Sequence, residues 1–264
     1  MRQATVTLTF DDALDSHLDH AIPLLNSLGL KSTFYINISS ECLGRRAAEW
    51  SKASSDGHEL GNHSLLHPAT SRKDWVREGN SIENYTLDRM RMELEVANNV
   101  LRMLDRKTER TFAFPCSTTC LGKAGWTKQI LSVAGFDRTR LSALIDKWGL
   151  DFASSQKDYT NIIRELFFAA RSGELPDIEK LSSSYERYHI PCITGDFRNS
   201  EQLLALVGKA IQAGTWIVFC FHGIGGGHGL YCELEAFEQF IKQLASNEQV
   251  VVKPLLEAAK DIWE

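Results

Sequence analysis

The feature that most constrains this chain is a repeated order of short β-rich runs and longer amphipathic ones. Residues 5–9 are β-branched and lead straight into Phe10-Asp11-Asp12. A helical pattern over residues 17–28 follows, with Gly29 placed to close it. Residues 32–38 read as a second strand, 47–54 as a helix and 58–60 as a brief third strand. Apolar residues at Leu87, Met90, Leu94, Ala97, Leu101 and Leu104 recur at the helical period and predict a long amphipathic helix. A strand at 111–114, a helix at 126–134 and a short strand near Phe136 continue the order. Residues 139–189 break it and read as an insertion or elaborated excursion within one domain spanning 1–264. The alternation resumes with strands at 190–193, 216–221 and 249–252 and helices at 200–213, 234–245 and 254–262. Such a chain builds a parallel sheet, open or closed into a barrel. Barrels of this kind carry their chemistry on the loops that follow the strands.

Composition narrows the partners. A net charge of −5, with no clustered Lys or Arg, argues against a general affinity for nucleic acid or anionic membrane. The longest apolar stretch, residues 216–221, is too short to span a bilayer. Six cysteines (Cys42, Cys116, Cys120, Cys192, Cys220 and Cys232) are scattered. The one close pair, Cys116 and Cys120, has no second pair to complete a four-cysteine zinc site. Reduced thiols acting as small hydrophobes are expected. The first strand begins almost at residue 1, with no signal peptide ahead of it, so the expected location is the cytoplasm, or outside the cell had a leader been removed.

The polar residues with chemical potential fall just after predicted strands: Asp11 and Asp12, His63 and His67, Pro115 and Cys116, and His222. In a parallel α/β architecture these strand ends open on one face. His63 and His67 have an H-x3-H spacing, and on a helical turn residues four apart point the same way, so both imidazoles could reach one ion. A solvated or capping pair fits the same spacing. Asp11 and Asp12 could cap the next helix, or divide labour between ligating a metal and accepting a proton. His222 precedes Gly223-Ile224-Gly225-Gly226-Gly227 and could be a buried structural histidine. The glycine run lacks the Lys and the spacing of a phosphate-binding loop.

Taken in order, Thr9-Phe10-Asp11-Asp12, His63-Ser64-Leu65-Leu66-His67-Pro68, Phe112-Ala113-Phe114-Pro115-Cys116 and Phe219-Cys220-Phe221-His222 resemble the NodB-homology polysaccharide deacetylases, carbohydrate esterase family 4. The resemblance runs over nearly the whole chain. It implies a distorted (β/α) barrel with fewer than eight regular strands. It also implies a divalent metal held by Asp12, His63 and His67, with Asp11 as general base and His222 as general acid. The backbone N–H of Cys116 would support the oxyanion, and Pro115 and Cys116 would line the substrate site. Two imidazoles and a carboxylate suit Zn²⁺ first, with Co²⁺, Ni²⁺ or Fe²⁺ also compatible. The implied substrate is an acetylated oligo- or polysaccharide, N-acetylated or O-acetylated.

Two departures from the family pattern stand out. The third motif usually carries an Arg that orients the base carboxylate, and an aromatic residue after the proline. Ala113 and Cys116 hold those positions here. Arg138 and Arg140 could stand in for the missing cation, and Trp126 and Trp148 could stack on sugar. Asp196, in Thr194-Gly195-Asp196-Phe197, is the best candidate to tune His222, although a turn or a cap for the helix that follows is an equal reading. Two other functions share the scaffold: a catalytically silent carbohydrate-binding protein, and a metal-dependent hydrolase of another C–N bond. A complete base, acid and ligand set disfavours the first.

Overall fold

The computed structural model describes residues 3–77, 79–133, 154–174 and 185–264. Eight parallel strands carry the fold: β1 (Ala4–Asp11), β2 (Thr33–Ile36), β3 (Glu59–Asn62), β4 (Phe112–Ala113), β5 (Ala170–Glu174), β6 (Ile190–Thr194), β7 (Trp216–Phe221) and β8 (Val250–Val252). Seven of them, β1 to β7, close into a ring, because β7 pairs back onto β1 with Thr5 opposite Trp216 and Phe10 opposite Phe221. The other edge of β1 is shared. Ala4 pairs with Val250 of β8, and Thr9 pairs with Thr33 of β2 further along. One eight-residue strand therefore serves three neighbours, which is what distorts the barrel. The architecture is the distorted (β/α) barrel that the alternation and the family resemblance imply.

Around the ring lie α1 (Ile22–Ser27), α2 (Glu41–Ser55), α3 (Leu87–Asp105), α4 (Trp126–Val133), α5 (Thr160–Leu166), α6 (Ser200–Ala213), α7 (Leu234–Ala245) and α8 (Leu255–Trp263). Strands β1 to β4 and β7 are buried on both faces, as a helix-covered parallel barrel requires. On β1, Val6, Leu8 and Phe10 pack outward among Phe34, Trp50, Leu203, Phe237 and Phe240. The rings of Phe10 and Phe34 stack with centroids 4.8 Å apart. A separate buried cluster joins Tyr35, Ala113, Cys192, Val218 and Cys220 to Leu255, Ala258 and Ala259 of α8. Among the described residues, no helix is long and apolar enough to cross a membrane.

The expected elements shift in instructive places. The segment read as an excursion supplies α5 and the barrel strand β5, which pairs with both β4 and β6. The helix expected over 17–28 opens as a wide π-turn at His17–Ala21 before α1. Pro23 lacks the N–H that would continue an ordinary helix back into that turn. Helix α2 starts six residues before the expected 47, with a non-helical Arg46 (φ −123°) that hides its first turns from a periodicity argument. The helices at 200–213 and 234–245 form where expected. The strand near Phe136, together with Arg138, Arg140 and Trp148, lies outside the described residues.

Candidate active site

The strand ends converge as expected, and the backbone there is unusually twisted. Asp12, Ser64, His67, Cys116 and Phe197 all have positive φ, between 48° and 79°. None is a glycine, and left-handed backbone at such residues costs free energy that the surrounding structure must offset. Among the described non-glycine residues with positive φ, only Arg106, the C-cap of α3, lies away from these loops.

Asp12, His63 and His67 come together. Nε2 of His67 lies 3.5 Å and Nε2 of His63 3.7 Å from Oδ1 of Asp12. Bonds of about 2.0–2.1 Å meeting at a tetrahedral angle put ligand atoms roughly 3.3–3.4 Å apart, so one divalent ion fits this donor set with little movement. The tautomers suit it as well. Nδ1 of His63 donates to the carbonyl of Ala113 at 2.8 Å, which leaves Nε2 with its lone pair toward Asp12. Burial, with His63 beside it, pushes His67 down to about 4, so its imidazole is neutral, as a ligand must be.

One detail corrects the H-x3-H argument. Residues 63–68 form an irregular loop, not a helical turn. Ser64 and His67 are left-handed, the Ser64 N–H donates to Oδ1 of Asn62, and the His67 N–H donates to Oγ of Ser64. Those local bonds curl the loop until the two rings face one site, with centroids 4.8 Å apart.

Asp11 points into the barrel, where Arg171 of β5 grips both of its oxygens. Nη2 donates to Oδ1 at 2.5 Å and also to Oδ2. Both side chains are buried, at 7% and 4% exposure. Burial alone would raise the Asp11 carboxyl, but Arg171, with His63 and His222, outweighs it and holds the group well below the usual carboxylate range. Arg171 also donates to Sγ of Cys192 at 3.1 Å, and Sγ of Cys220 donates to Oδ2 of Asp11 at 3.5 Å. Asp11, Cys220 and His222 offer ligand atoms within 4.8 Å of one another. With Arg171 already neutralising Asp11, a second cation there is disfavoured.

Arg171 is the residue that sequence reasoning missed. In the strand register it lies directly opposite Ala113, so the cation absent from the third motif sits one strand over. Arg138 and Arg140 are not needed to account for it.

Asp196 lies beneath His222. Its Oδ2 is 2.6 Å from Nδ1 of His222, and its Oδ1 accepts the His222 N–H at 3.0 Å. It does not cap the next helix, since Asn199 and Gln202 form a reciprocal capping box there. Gly195 makes the approach possible, because a Cβ at that position would lie 2.0 Å from the Phe221 ring. Burial lowers the His222 imidazole, but Asp196, Asp11 and Asp12 together raise it to about 9.

These groups line a chamber of about 760 Å³ that holds Asp11, Asp12, His63, His67, Cys116, Arg171, Asp196 and His222. A second chamber of about 550 Å³ shares Asp12, His67, Trp75 and His228 with it. Cys116 lines the larger chamber at a tight turn with φ 48°, whereas Pro115 is buried beneath and lines neither. Trp126 is exposed but is not a lining residue, while the exposed rings of Trp75 and Phe197 are. None of the six cysteines is joined in a disulfide.

A closed seven-strand parallel barrel with carboxylates and imidazoles gathered at its strand ends is the fold of the carbohydrate deacetylases. The chain belongs to the polysaccharide deacetylase family, whose model matches residues 1–134. No curated protein sequence matches it. Among solved structures it is similar to the Xyl-CE4 domain of a multidomain xylanase from the hindgut metagenome of Trinervitermes trinervoides. That match has a TM-score of 0.53 and 15% identity, covering 98% of this chain and 91% of that one. A Mycobacterium smegmatis protein assigned to the polysaccharide deacetylases matches at TM-score 0.59 and 12% identity, over 99% of this chain and 91% of its own. The peptidoglycan deacetylase PdaC of Bacillus subtilis matches at TM-score 0.53 and 14% identity, over 98% and 92%. At these identities the likeness is one of fold.

Proposed function

We propose that this chain, acting as one domain over residues 1–264, is a metal-dependent hydrolase that removes acetyl groups from N-acetylated or O-acetylated carbohydrate. The observation that carries the proposal is that the Asp11 carboxylate and the His222 imidazole line one chamber with the Asp12, His63 and His67 cluster. Each is fixed by its own buried counter-charge, Asp11 by Arg171 and His222 by Asp196.

Asp12, His63 and His67 would hold the divalent ion, Zn²⁺ first among Co²⁺, Ni²⁺ and Fe²⁺. When bound, such an ion acidifies a water and polarises the acetyl carbonyl. The protein's own groups do the rest. Asp11 stays ionised and accepts the proton of the attacking water as the new C–O bond forms. Arg171 keeps that carboxylate aimed at the site. The backbone N–H of Cys116 faces the developing oxyanion. His222 is protonated at neutral pH and gives its Nε2 proton to the leaving sugar nitrogen as the C–N bond breaks, while Asp196 holds Nδ1. Acetate and a free amino sugar leave, or an alcohol where the ester is cleaved. Trp75 and Phe197 give the sugar rings flat apolar faces at the mouth of the site.

An acetate-release screen tests the proposal, run on N-acetylated and O-acetylated glycans with Zn²⁺, Co²⁺, Ni²⁺ or Fe²⁺ added. Release that needs the metal and stops with chelator is expected. Glycan binding with no release under any metal would favour the silent binding protein instead.

A further inference from the structure

The glycine run after His222 plays no part in the reaction above, and the structure shows what it builds. Gly225, Gly226 and Gly227 have φ of 70°, 116° and 80°, which turn the chain back on itself. The loop is clamped at its base. The Gly223 N–H donates to the Leu230 carbonyl, the Gly225 N–H to Cys232, and the Ile224 N–H to Oγ of Ser16. The fold-back lays the ring of His228 over that of His222, with centroids 5.1 Å apart and planes 11° from parallel. Nδ1 of His228 sits 3.1 Å from the backbone N–H and the carbonyl of Leu230, so the ring's orientation is set. Its other nitrogen, Nε2, is 3.9 Å from Oδ2 of Asp12.

Asp12 thus has two differently occupied oxygens. Oδ1 faces His63 and His67, and Oδ2 faces His228. A carboxylate that ligates through one oxygen is ordinarily steadied at the other by an outer partner, and such partners are worth about 10–100-fold in metal affinity. We infer that His228 is that partner. It is a positioning residue that holds Asp12 in its ligating orientation from a loop built for the purpose. A separation of 3.9 Å exceeds a direct hydrogen bond, so the contact closes through one water. This inference rests on the metal reading of Asp12, His63 and His67.

The test is Co²⁺ affinity, measured by competition against a chromophoric chelator on the metal-stripped chain. The visible absorption of the Co²⁺ form is recorded alongside. His228→Ala is expected to weaken binding about 10–100-fold and to change the Co²⁺ spectrum. His228→Gln, which restores an N–H near the lost nitrogen, should recover most of the affinity. His20→Ala, at an exposed histidine that lines neither chamber, should do neither. Parental affinity and spectrum in His228→Ala, with strong binding by the parent, would overturn the role of His228 alone. A parent chain that binds no Co²⁺ would overturn the metal reading and this inference with it.

Discussion

The two halves of the site are held by different means. The proposed ligand side, Asp12 with His63 and His67, is shaped by hydrogen bonds between neutral groups: the Ser64 N–H to Asn62, the His67 N–H to Ser64, and Nδ1 of His63 to the Ala113 carbonyl. The proposed proton-transfer side is held by buried charge pairs. Asp11 meets Arg171 across 160 positions of chain, and His222 meets Asp196 across 26. On the ligand side, damage should mainly cost the metal. On the proton-transfer side, catalysis and folding stability share the same atoms, so damage should cost both.

Substitutions at Asp11 should show the contrast most strongly. Asp11→Asn keeps the three ligands but removes the base, and acetate release should fall about 10²–10⁴-fold with metal retained. The same change strips Arg171 of its counter-charge in a buried setting, so denaturant melts should show a loss of about 3–5 kcal/mol. A variant that is inactive yet as stable as the parent would break the link between catalysis and folding. Arg171→Met should destabilise in the same direction and lower the turnover rate, with the metal content unchanged.

Asp196→Asn sharpens the comparison through pH. With its imidazole raised from 6.5 to about 9, His222 stays protonated through neutrality, and activity should decline only as pH rises through about 9. Its charge pair stabilises the fold fully below about 6.5, and that contribution is lost as pH climbs through about 9. Without the Asp196 carboxylate the alkaline limb of the rate profile should move to lower pH. An unmoved limb would remove Asp196 from the account. Away from the reacting groups, burial depresses His17 and His58 to about 4, so both are neutral in the fold. Unfolded histidine takes a proton near 6.5, so melts should show stability present above that value and falling between about 6.5 and 4. The smallest effect is expected for Cys116→Ser, whose acetate release should stay near parental because the backbone N–H, not the thiol, is used.

How much of this was legible in the sequence follows the same division. Asp12, His63 and His67 sit in compact motifs whose geometry is made locally, so their convergence could be anticipated, although the two histidines turned out to share a curled loop. His222 could be named because it ends a recognisable strand, and Asp196 as the best candidate for the Asp that the family resemblance places beside it. Arg171 could not, because its role depends on the register between β4 and β5, which places it beside Ala113. The strand itself was hidden in a segment that had lost its periodicity. One signal was available: the apolar run Phe167-Phe168-Ala169-Ala170 leads into a single Arg at the start of β5. The use of the glycine run was equally hidden, since only the fold-back shows which ring it delivers.

The most direct test of the division between metal holding and proton transfer is metal content by elemental analysis. The parent chain, Asp11→Asn and the double variant His63→Ala/His67→Ala would be purified side by side. The account predicts one divalent ion per chain in the first two and none in the third. Stoichiometric metal retained by the double variant, or lost from Asp11→Asn, would contradict it.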